Sequence, residues 1–280
     1  EVMPSQTAFV FPGQGAQRVS MMRDLFISFP HLTSRLNDSV EHAKLIFPSH
    51  PTDRQHKRRQ QEALTDTRNA QPALGICDLA MHDLLSLFGI QADHLAGHSY
   101  GELVALCVAG ILPDSKLSEI SAKRGELILN ATGALDEDGG DPGSMAAIVG
   151  RAEEVRQALN EDVRFNDVTL ANLNAPTQTV ISGPTSQIDE AIKVLKKTGL
   201  SGRKIPVACA FHSMLVSSAA TTFQQYLESV LIDTNEWGSK TVWSNQTAQK
   251  YETDSEHRST IPELLGSHLA SPVRFVEQIT

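Results

Sequence analysis

The chain carries the pentapeptide Gly97-His98-Ser99-Tyr100-Gly101 between a strand-like segment, His94 to His98, and a run typical of a buried helix, Tyr100 to Ala109. Glycine on both sides of the serine suits a sharp strand-to-helix turn, because no Cβ obstructs the backbone. Such a turn exposes the serine hydroxyl beside the positive end of the following helix. The pattern therefore predicts an α/β fold with Ser99 as a candidate nucleophile. The alternative is a chance pentapeptide in an ordinary turn.

Composition narrows the class of protein. The 280 residues carry a formal net charge of −9, whereas a nucleic-acid-binding domain normally shows a basic excess. The cysteines Cys77, Cys107 and Cys209 are far apart and form no CxxC pair, so they indicate neither a disulfide scaffold nor a zinc site. With no visible signal peptide and no apolar run of bilayer length, we expect a cytoplasmic protein without a metal and without a membrane partner.

The middle of the chain has a different pattern of apolar residues. Short apolar runs of strand length and helical patterns follow each other in the order β-α-β-β-α-β over residues 144–205. That order is typical of a ferredoxin-like unit. We therefore predict that residues 1–143 and 206–280 form one catalytic core and that residues 144–205 form an inserted subdomain. The last strand of the subdomain is expected at Lys204 to Ala208.

A polar stretch, residues 48–69, contains a dense basic cluster from Arg54 to Arg59. The cluster predicts a solvated helix face or loop. The next segment, Gln71 to Phe88, has apolar residues at helical spacing, with Pro72 near the expected helix start, where its missing N–H has no consequence.

A serine hydroxyl is a weak nucleophile and needs a base. Most of the ten histidines lie in polar stretches, whereas His212 follows an apolar segment and precedes an expected helix. His212 is therefore the candidate base. The alternative is an ordinary core histidine.

Two further features could contribute chemistry. The segment FPGQGAQ, residues 11–17, follows a predicted strand but lacks the lysine of a P-loop and the third glycine of a dinucleotide site. It could cradle phosphate, offer a backbone N–H to an oxyanion, or be a turn without a ligand. Arg124 lies on a predicted helix, Leu117 to Asn130, where it could extend to water or bind a carboxylate with both ends of its guanidinium.

Seven segments together resemble the malonyl-CoA:acyl-carrier-protein acyltransferase family, which includes the acyltransferase domains of fatty-acid, polyketide and polyunsaturated-fatty-acid synthases. They occur in the family's order over nearly the whole chain. The segments are FPGQGAQ (11–17), QPAL (71–74), GHSYGE (97–102), Arg124, NLNAPTQTVISG (172–183), AFHS (210–213) and SPVRF (271–275). The resemblance implies an α/β-hydrolase-like core with an inserted ferredoxin-like subdomain.

The resemblance also implies residue roles. Ser99 corresponds to the nucleophile and His212 to the base, and the backbone N–H groups of Gln14 and Tyr100 correspond to the oxyanion hole. Arg124 corresponds to the residue that holds the free malonyl carboxylate.

Supporting roles follow by the same resemblance. A backbone carbonyl at or near His268 would steady the base. Phe211 would fill the space that an α-methyl group needs, although Cys209 stands where histidine is commoner. His98 and Asn174 are candidate substrate-binding residues, the latter by shaping the subdomain edge near the acyl pocket.

The implied activity is ping-pong acyl transfer. Malonyl-CoA would acylate Ser99, and the phosphopantetheine thiol of an acyl carrier protein would then take the malonyl group. No bound cofactor is expected. Because the chain starts with Glu1, we expect a piece of a longer synthase with flanking domains such as a ketosynthase. Tyr100 next to the serine resembles iterative synthase domains.

Three alternatives stay open. A serine acyl-thioesterase or editing hydrolase could use the same core, a transferase could accept methylmalonyl groups, and a non-enzymatic module could only bind carrier proteins. Since CoA and carrier proteins are acidic and the chain is too, we expect local basic groups at the mouth of the Ser99 cleft. The candidates are Lys193, Lys196, Lys197, Arg203 and Lys204.

Overall fold

The computed structural model describes residues 6–135, 140–230, 240–252 and 260–280. The helices and strands are, in chain order, β1 (Ala8–Phe11), α1 (Arg23–Ser28), α2 (Val40–Ile46), α3 (Arg54–Thr65), α4 (Thr67–Leu87), β2 (His94–Gly97), α5 (Gly101–Val108), α6 (Leu117–Ala131), β3 (Ser144–Val149), α7 (Ala152–Asn160), β4 (Thr169–Ala175), β5 (Gln178–Gly183), α8 (Thr185–Lys197), β6 (Ser201–Ile205), α9 (Ser218–Val230), β7 (Thr241–Val242), α10 (Thr260–His268) and α11 (Phe275–Ile279). The chain divides into two compact units. The first comprises Glu1–Gly125 and Leu231–Trp243, and the second comprises Glu126–Val230 and Ser244–Thr280.

The first unit contains a parallel sheet in the order β1-β2-β7. Phe11 at the end of β1 is in register with Gly97 at the end of β2. The backbone N–H of His98 then donates to the carbonyl of Phe11 at 2.9 Å. Because parallel strands end at the same sheet edge, the FPGQGAQ turn and the serine turn leave the sheet side by side.

Helix α3 agrees with the sequence prediction, whereas helix α4 differs from it. The basic cluster forms helix α3, one of the two predicted forms, and Asp53 caps it by accepting from the N–H of His56 at 2.7 Å. Helix α4 begins at Thr67, four residues before the predicted start, because Asp66 caps it by accepting from the N–H of Arg68. Pro72 therefore lies inside the helix.

An apolar cluster holds α4 against the helices before it. Its buried members are Phe26, Leu32, Ile46, Leu64, Ala73, Ile76, Cys77, Ala80 and Leu84. Within the described residues, no helix is long and apolar enough to span a bilayer.

The second unit contains an antiparallel sheet in the order β4-β5-β3-β6. This order and the two helices α7 and α8 give the ferredoxin-like arrangement predicted for residues 144–205. One face of the sheet packs on α7 and α8 through a cluster that includes Ile148, Val155 and Ile188. Strand β6 starts at Ser201, three residues before the predicted strand. Among the described strands it pairs with β3 alone, and its residues are mostly polar and exposed, so hydrophobic alternation does not mark it.

The second unit is larger than the predicted subdomain, because residues before β3 and residues after β6 also belong to it. Val273 extends the sheet at β4, where it accepts from the N–H of Leu173 and donates to the carbonyl of Ala171, each at 2.8 Å. Helix α10 also packs closely on α9, since a Cβ at Gly266 would lie 2.7 Å from the carbonyl oxygen of Ala220. The antiparallel sheet thus has the same bounds as the predicted subdomain, residues 144–205, whereas the compact unit that contains it extends beyond those bounds.

Candidate active site

The serine turn, residues 97–101, places Ser99 in a left-handed backbone conformation with φ of 52°. Glycines make this geometry possible. A Cβ at Gly97 would lie 1.9 Å from the carbonyl carbon of Gly101, and a Cβ at Gly101 would lie 2.2 Å from the carbonyl oxygen of Phe11. A non-glycine residue held at positive φ is strained, and such strain persists where the surrounding structure imposes it. Ser99 is half-buried at the start of α5, as the strand–turn–helix pattern predicted.

The side chain of Tyr100 is fully buried beside the serine. Its hydroxyl lies 2.8 Å from Oγ of Ser121 on α6, and Ser121 Oγ lies 2.5 Å from the carbonyl oxygen of Leu117. Burial raises the pKa of Tyr100 well above its ordinary value, while the hydrogen bond to Ser121 and the charge of Arg124 act in the opposite direction. The phenol is therefore neutral at physiological pH.

Gln14 belongs to a hydrogen-bonded set on the FPGQGAQ turn. Its Nε2 donates to Oγ1 of Thr67, and its Oε1 accepts from Nε2 of Gln71, each at 3.2 Å. Gln71 is fully buried, and its own Oε1 has no hydrogen-bond partner among the residues that the structure describes. Thr67 and Gln71 were not singled out as site residues from the sequence, although Gln71 begins the matched QPAL segment.

Arg124 is buried on α6 with 4% exposure. The next residue, Gly125, packs against the start of α4, where a Cβ would lie 2.8 Å from the carbonyl oxygen of Thr67. Helix α6 therefore contacts two neighbours: Tyr100, through Ser121, and Thr67, through Gly125. Thr67 is also the hydrogen-bond partner of Gln14. A buried guanidinium in this setting can bind a carboxylate bidentately.

His98 is half-buried within the serine turn. Its carbonyl oxygen accepts a hydrogen bond from the N–H of Gly101 at 3.1 Å. Its own N–H donates to the carbonyl of Phe11, which fixes the backbone of His98 at the end of β1. Five of the candidate site residues, Gln14, His98, Ser99, Tyr100 and Arg124, therefore lie in the first unit.

In the second unit, His212 has a left-handed backbone with φ of 56° and is 2% exposed. Its Nδ1 lies 3.1 Å from the carbonyl oxygen of His268 and 3.0 Å from that of Ser271. Two carbonyl acceptors assign the ring proton to Nδ1, so Nε2 of the neutral ring keeps its lone pair. The imidazole is thus oriented as a base by backbone oxygens.

The ring of His268 also packs on that of His212, with centroids 5.0 Å apart and an interplanar angle of 33°. The carbonyl at His268 stands where the resemblance implied one. The prediction was of one carbonyl, at His268 or a neighbour near the SPVRF segment, and the structure adds a second from Ser271, which begins that segment.

The two remaining candidate residues of the second unit lie in different parts of it. Phe211 packs on the apolar cluster of Met145, Ala171 and Val180, on the sheet. Asn174 lies near the β4–β5 turn, where its Nδ2 donates to Oε1 of Gln178 at 3.2 Å. The structure brings Phe211, His212 and His268 together, whereas Asn174 belongs to the hairpin end.

The expected basic rim is partly neutralised. Nζ of Lys204 lies 2.8 Å from Asp189, and Nζ of Lys193 lies 3.5 Å from Glu190. The position of these lysines at the mouth of the Ser99 cleft stays a prediction.

In the first unit, the basic cluster from Arg54 to Arg59 lines a cavity of about 630 Å³. Within the described ranges, no set of three His, Cys, Asp or Glu side chains could hold a metal ion.

Comparisons with known proteins agree with this geometry. Residues 8–280 match the family model described as acyl transferase domain. The chain is 35% identical over 285 residues to the malonyl CoA-acyl carrier protein transacylase of Bacillus subtilis, covering 98% of this chain and 82% of that protein. It is 27% identical to part of a polyunsaturated fatty acid synthase from Thraustochytrium, covering 97% of this chain and 10% of the synthase.

Solved structures give the same result. The malonyl CoA-acyl carrier protein transacylase of Coxiella burnetii is 28% identical, with a TM-score of 0.85 over all of this chain and 84% of that chain. A malonyl-transacylase in complex with its type II polyketide synthase acyl-carrier protein is 26% identical, with a TM-score of 0.84 over 98% of this chain and 84% of that chain. Both relatives share an α/β-hydrolase-like core with a ferredoxin-like subdomain.

Proposed function

Since the chain belongs to the acyl transferase domain family, we propose that it transfers a malonyl group from coenzyme A to an acyl carrier protein through an ester on Ser99. The observation that carries the proposal is the serine turn, where a strained backbone presents a half-buried hydroxyl at the start of a helix. The malonyl-transacylase solved with its carrier protein supports the choice of acceptor.

The proposed first step acylates the serine. Nε2 of His212 takes the proton of Ser99 as Oγ attacks the thioester carbonyl. The resulting oxyanion accepts hydrogen bonds from the backbone N–H groups of Gln14 and Tyr100, each worth about 3 kcal/mol. Collapse of the tetrahedral intermediate releases the CoA thiol, which receives the proton from His212, and leaves a malonyl ester on Ser99.

The second step repeats this chemistry with a different nucleophile. The phosphopantetheine thiol of the carrier protein gives its proton to His212 and attacks the ester carbonyl. When the ester bond breaks, the proton returns to Ser99 and the malonyl group leaves as a thioester. Throughout, the carbonyls of His268 and Ser271 hold the Nδ1 proton of His212, so that Nε2 alone exchanges protons.

Selectivity follows from two side chains. Arg124 matches the free carboxylate of the malonyl group, which an acetyl group lacks. Phe211 reduces the room for an α-methyl group, and one methyl in an apolar pocket corresponds to about 1–3 kcal/mol, so some methylmalonyl transfer is expected. His98 is proposed to line the substrate path, and Asn174, at the end of the β4–β5 hairpin, is proposed to shape the subdomain edge near the acyl pocket.

The cellular setting is part of the proposal. Similarity to a segment of a polyunsaturated fatty acid synthase supports a place beside a carrier domain and other synthase domains, a ketosynthase among them. The cysteines Cys77, Cys107 and Cys209 are all buried and free, which fits a reducing cytoplasm. The reaction as proposed needs no bound cofactor.

The test is incubation with radiolabelled malonyl-CoA, followed by a denaturing gel and then by addition of holo carrier protein. We expect label on the wild-type chain that moves to the carrier protein, and no label on Ser99→Ala. Release of free malonate without transfer would indicate the hydrolase. If Ser99→Ala still loads the carrier protein, Ser99 is not the nucleophile, and unlabelled wild-type chain that binds carrier protein would indicate a docking module.

A further inference from the structure

The buried hydroxyl of Tyr100 connects the serine turn to the helix that carries Arg124. Ser121 Oγ lies 2.5 Å from the carbonyl oxygen of Leu117, so its single proton is used there. The hydrogen bond of 2.8 Å between Tyr100 and Ser121 must then be donated by the phenol. The phenol therefore has one defined acceptor, and that acceptor is on α6.

Ser121 and Arg124 are three residues apart on α6, so they lie on the same side of the helix, one turn from each other. Both residues are buried. A rotation or shift of α6 that breaks the bond to Tyr100 would also move the guanidinium.

The surroundings leave this phenol little freedom. Gly75 on α4 makes room for it, since a Cβ there would lie 2.4 Å from the Tyr100 hydroxyl and 3.0 Å from Cδ2 of Leu117. At the other end of the same turn of α6, Gly125 lies against the backbone of Thr67. The helix is thus placed by Tyr100 at Ser121 and by α4 at Gly125.

We propose that the side chain of Tyr100 is a positioning group for acyl selectivity, which holds α6 so that Arg124 stands at the separation from Ser99 that a malonyl group spans. This inference rests on the proposed function and deepens it. Tyr100 then has two separate roles, because its backbone N–H serves the oxyanion whereas its hydroxyl serves the carboxylate end of the substrate.

The physical reason is that a short acyl group is held at both ends. Its carbonyl must reach Oγ of Ser99 while its free carboxylate engages Arg124, and a displacement of about 1 Å can lower the rate substantially. An acetyl group makes only the first contact. Movement of α6 should therefore lower malonyl transfer more than acetyl transfer.

The experiment measures kcat/KM for malonyl-CoA and for acetyl-CoA with a holo carrier protein. Tyr100→Phe and Ser121→Ala should each lower the malonyl-to-acetyl ratio by about two- to tenfold, the factor corresponding to one net hydrogen bond. The double variant should fall no further than the lower single variant, because both remove the same bond. Ser121→Thr keeps the hydroxyl and should restore most of the ratio.

Thr132→Val is the matched control. It removes another buried hydroxyl, which bonds the carbonyls of Ile128 and Leu129 at the end of α6 without contacting Tyr100. We expect lower thermal stability and a wild-type ratio. The inference is overturned if Tyr100→Phe keeps the wild-type ratio, if the two single effects multiply in the double variant, or if Thr132→Val lowers the ratio equally.

The same measurements separate this inference from the proposed function. If the wild-type chain forms no malonyl ester, the proposed function fails and takes the inference with it. If the wild type transfers malonyl groups and the variants keep its selectivity, only the role of the Tyr100 hydroxyl is wrong. Should Tyr100→Phe fail to fold, Ser121→Ala compared with Ser121→Thr gives the same decision.

Discussion

The imidazole of His212 is oriented by the backbone of His268, whose carbonyl oxygen lies 3.1 Å from Nδ1. The carbonyl of Ser271 adds a second acceptor at 3.0 Å. A carboxylate in this place would stabilise an imidazolium by a full charge, whereas a carbonyl offers only a dipole. The proposed base is therefore fixed in direction by two backbone dipoles.

His268→Ala should be a mild change, because the orienting carbonyl belongs to the backbone. We expect kcat to fall by at most about tenfold, equivalent to 1.4 kcal/mol, through loss of the ring contact. His212→Ala should lower kcat by about 10²- to 10⁴-fold, as loss of a general base does. Steady-state kinetics with malonyl-CoA compares the two variants, and equal losses would mean that the His268 side chain itself takes part in proton transfer.

Arg124→Ala should change which acyl group is used. The variant loses the proposed contact with the malonyl carboxylate, so kcat/KM for malonyl-CoA should fall by about 10²-fold or more. This factor corresponds to a charged hydrogen bond of up to about 3 kcal/mol. Acetyl-CoA should then become a competitive substrate. Arg23→Ala, at an exposed arginine of α1, is the control and should keep the wild-type preference. An unchanged malonyl preference in Arg124→Ala would refute the assignment.

Gly75→Ala should destabilise the protein through the Tyr100 hydroxyl. The added methyl would lie 2.4 Å from that oxygen, and overpacking of this kind costs about 1–3 kcal/mol. In a Tyr100→Phe background the oxygen is absent, so the same substitution should cost about 1 kcal/mol less. Urea denaturation of the four proteins measures the difference, and additive effects would show that the methyl meets something else.

Asp78→Asn should stabilise the protein at high pH and not at low pH. Oδ2 of Asp78 is buried without a hydrogen-bond partner in the described part of the chain, and burial raises the pKa of the carboxyl well above its ordinary value. The folded state thus favours the protonated acid, and stability is lost as pH rises from the unfolded pKa near 4 through the folded pKa.

Replacing the ionisable carboxyl by an amide should raise the free energy of unfolding at pH 8 by about 1 kcal/mol, with little effect at pH 4. Asp66 provides the contrast, because the side chain of Arg68 lowers the pKa of Asp66. Stability from Asp66 is present above the unfolded pKa and is lost as pH falls, so Asp66→Asn should destabilise at pH 8. Thermal melts at both pH values test the pair, and a gain for Asp78→Asn at pH 4 as large as at pH 8 would contradict the expected charge effect.

Local patterns predicted most of the elements around the candidate site. The serine turn, its strand and its helix follow from glycine spacing and apolar runs, which act within a few residues. The order of strands and helices over residues 144–205 likewise predicted the ferredoxin-like sheet, because each element has its own periodicity. Helix α4 started early because the short side chain of Asp66 provided a cap that the apolar pattern does not include.

What connects these elements was not predictable from spacing. His212 finds its carbonyl partners 56 and 59 residues later, and any residue type offers a carbonyl. Tyr100 meets Ser121 across 21 residues, with Gly75 leaving the necessary space. Such contacts depend on how helices pack, and neither hydrophobic periodicity nor a motif of a few residues carries that information.

Ser99 and His212, with φ of 52° and 56°, both depart from the backbone conformations that their residue types prefer. Glycine at Ser99 would relax the chain locally and would also delete the proposed nucleophile. Glycine at His212 would in addition remove a buried ring and its hydrogen bonds to two carbonyls, which destabilises the fold. At Ser99, selection for heat resistance alone would therefore favour an inactive protein. A Ser99→Gly variant should melt higher and transfer nothing, so thermostability engineering of this enzyme has to be screened by turnover.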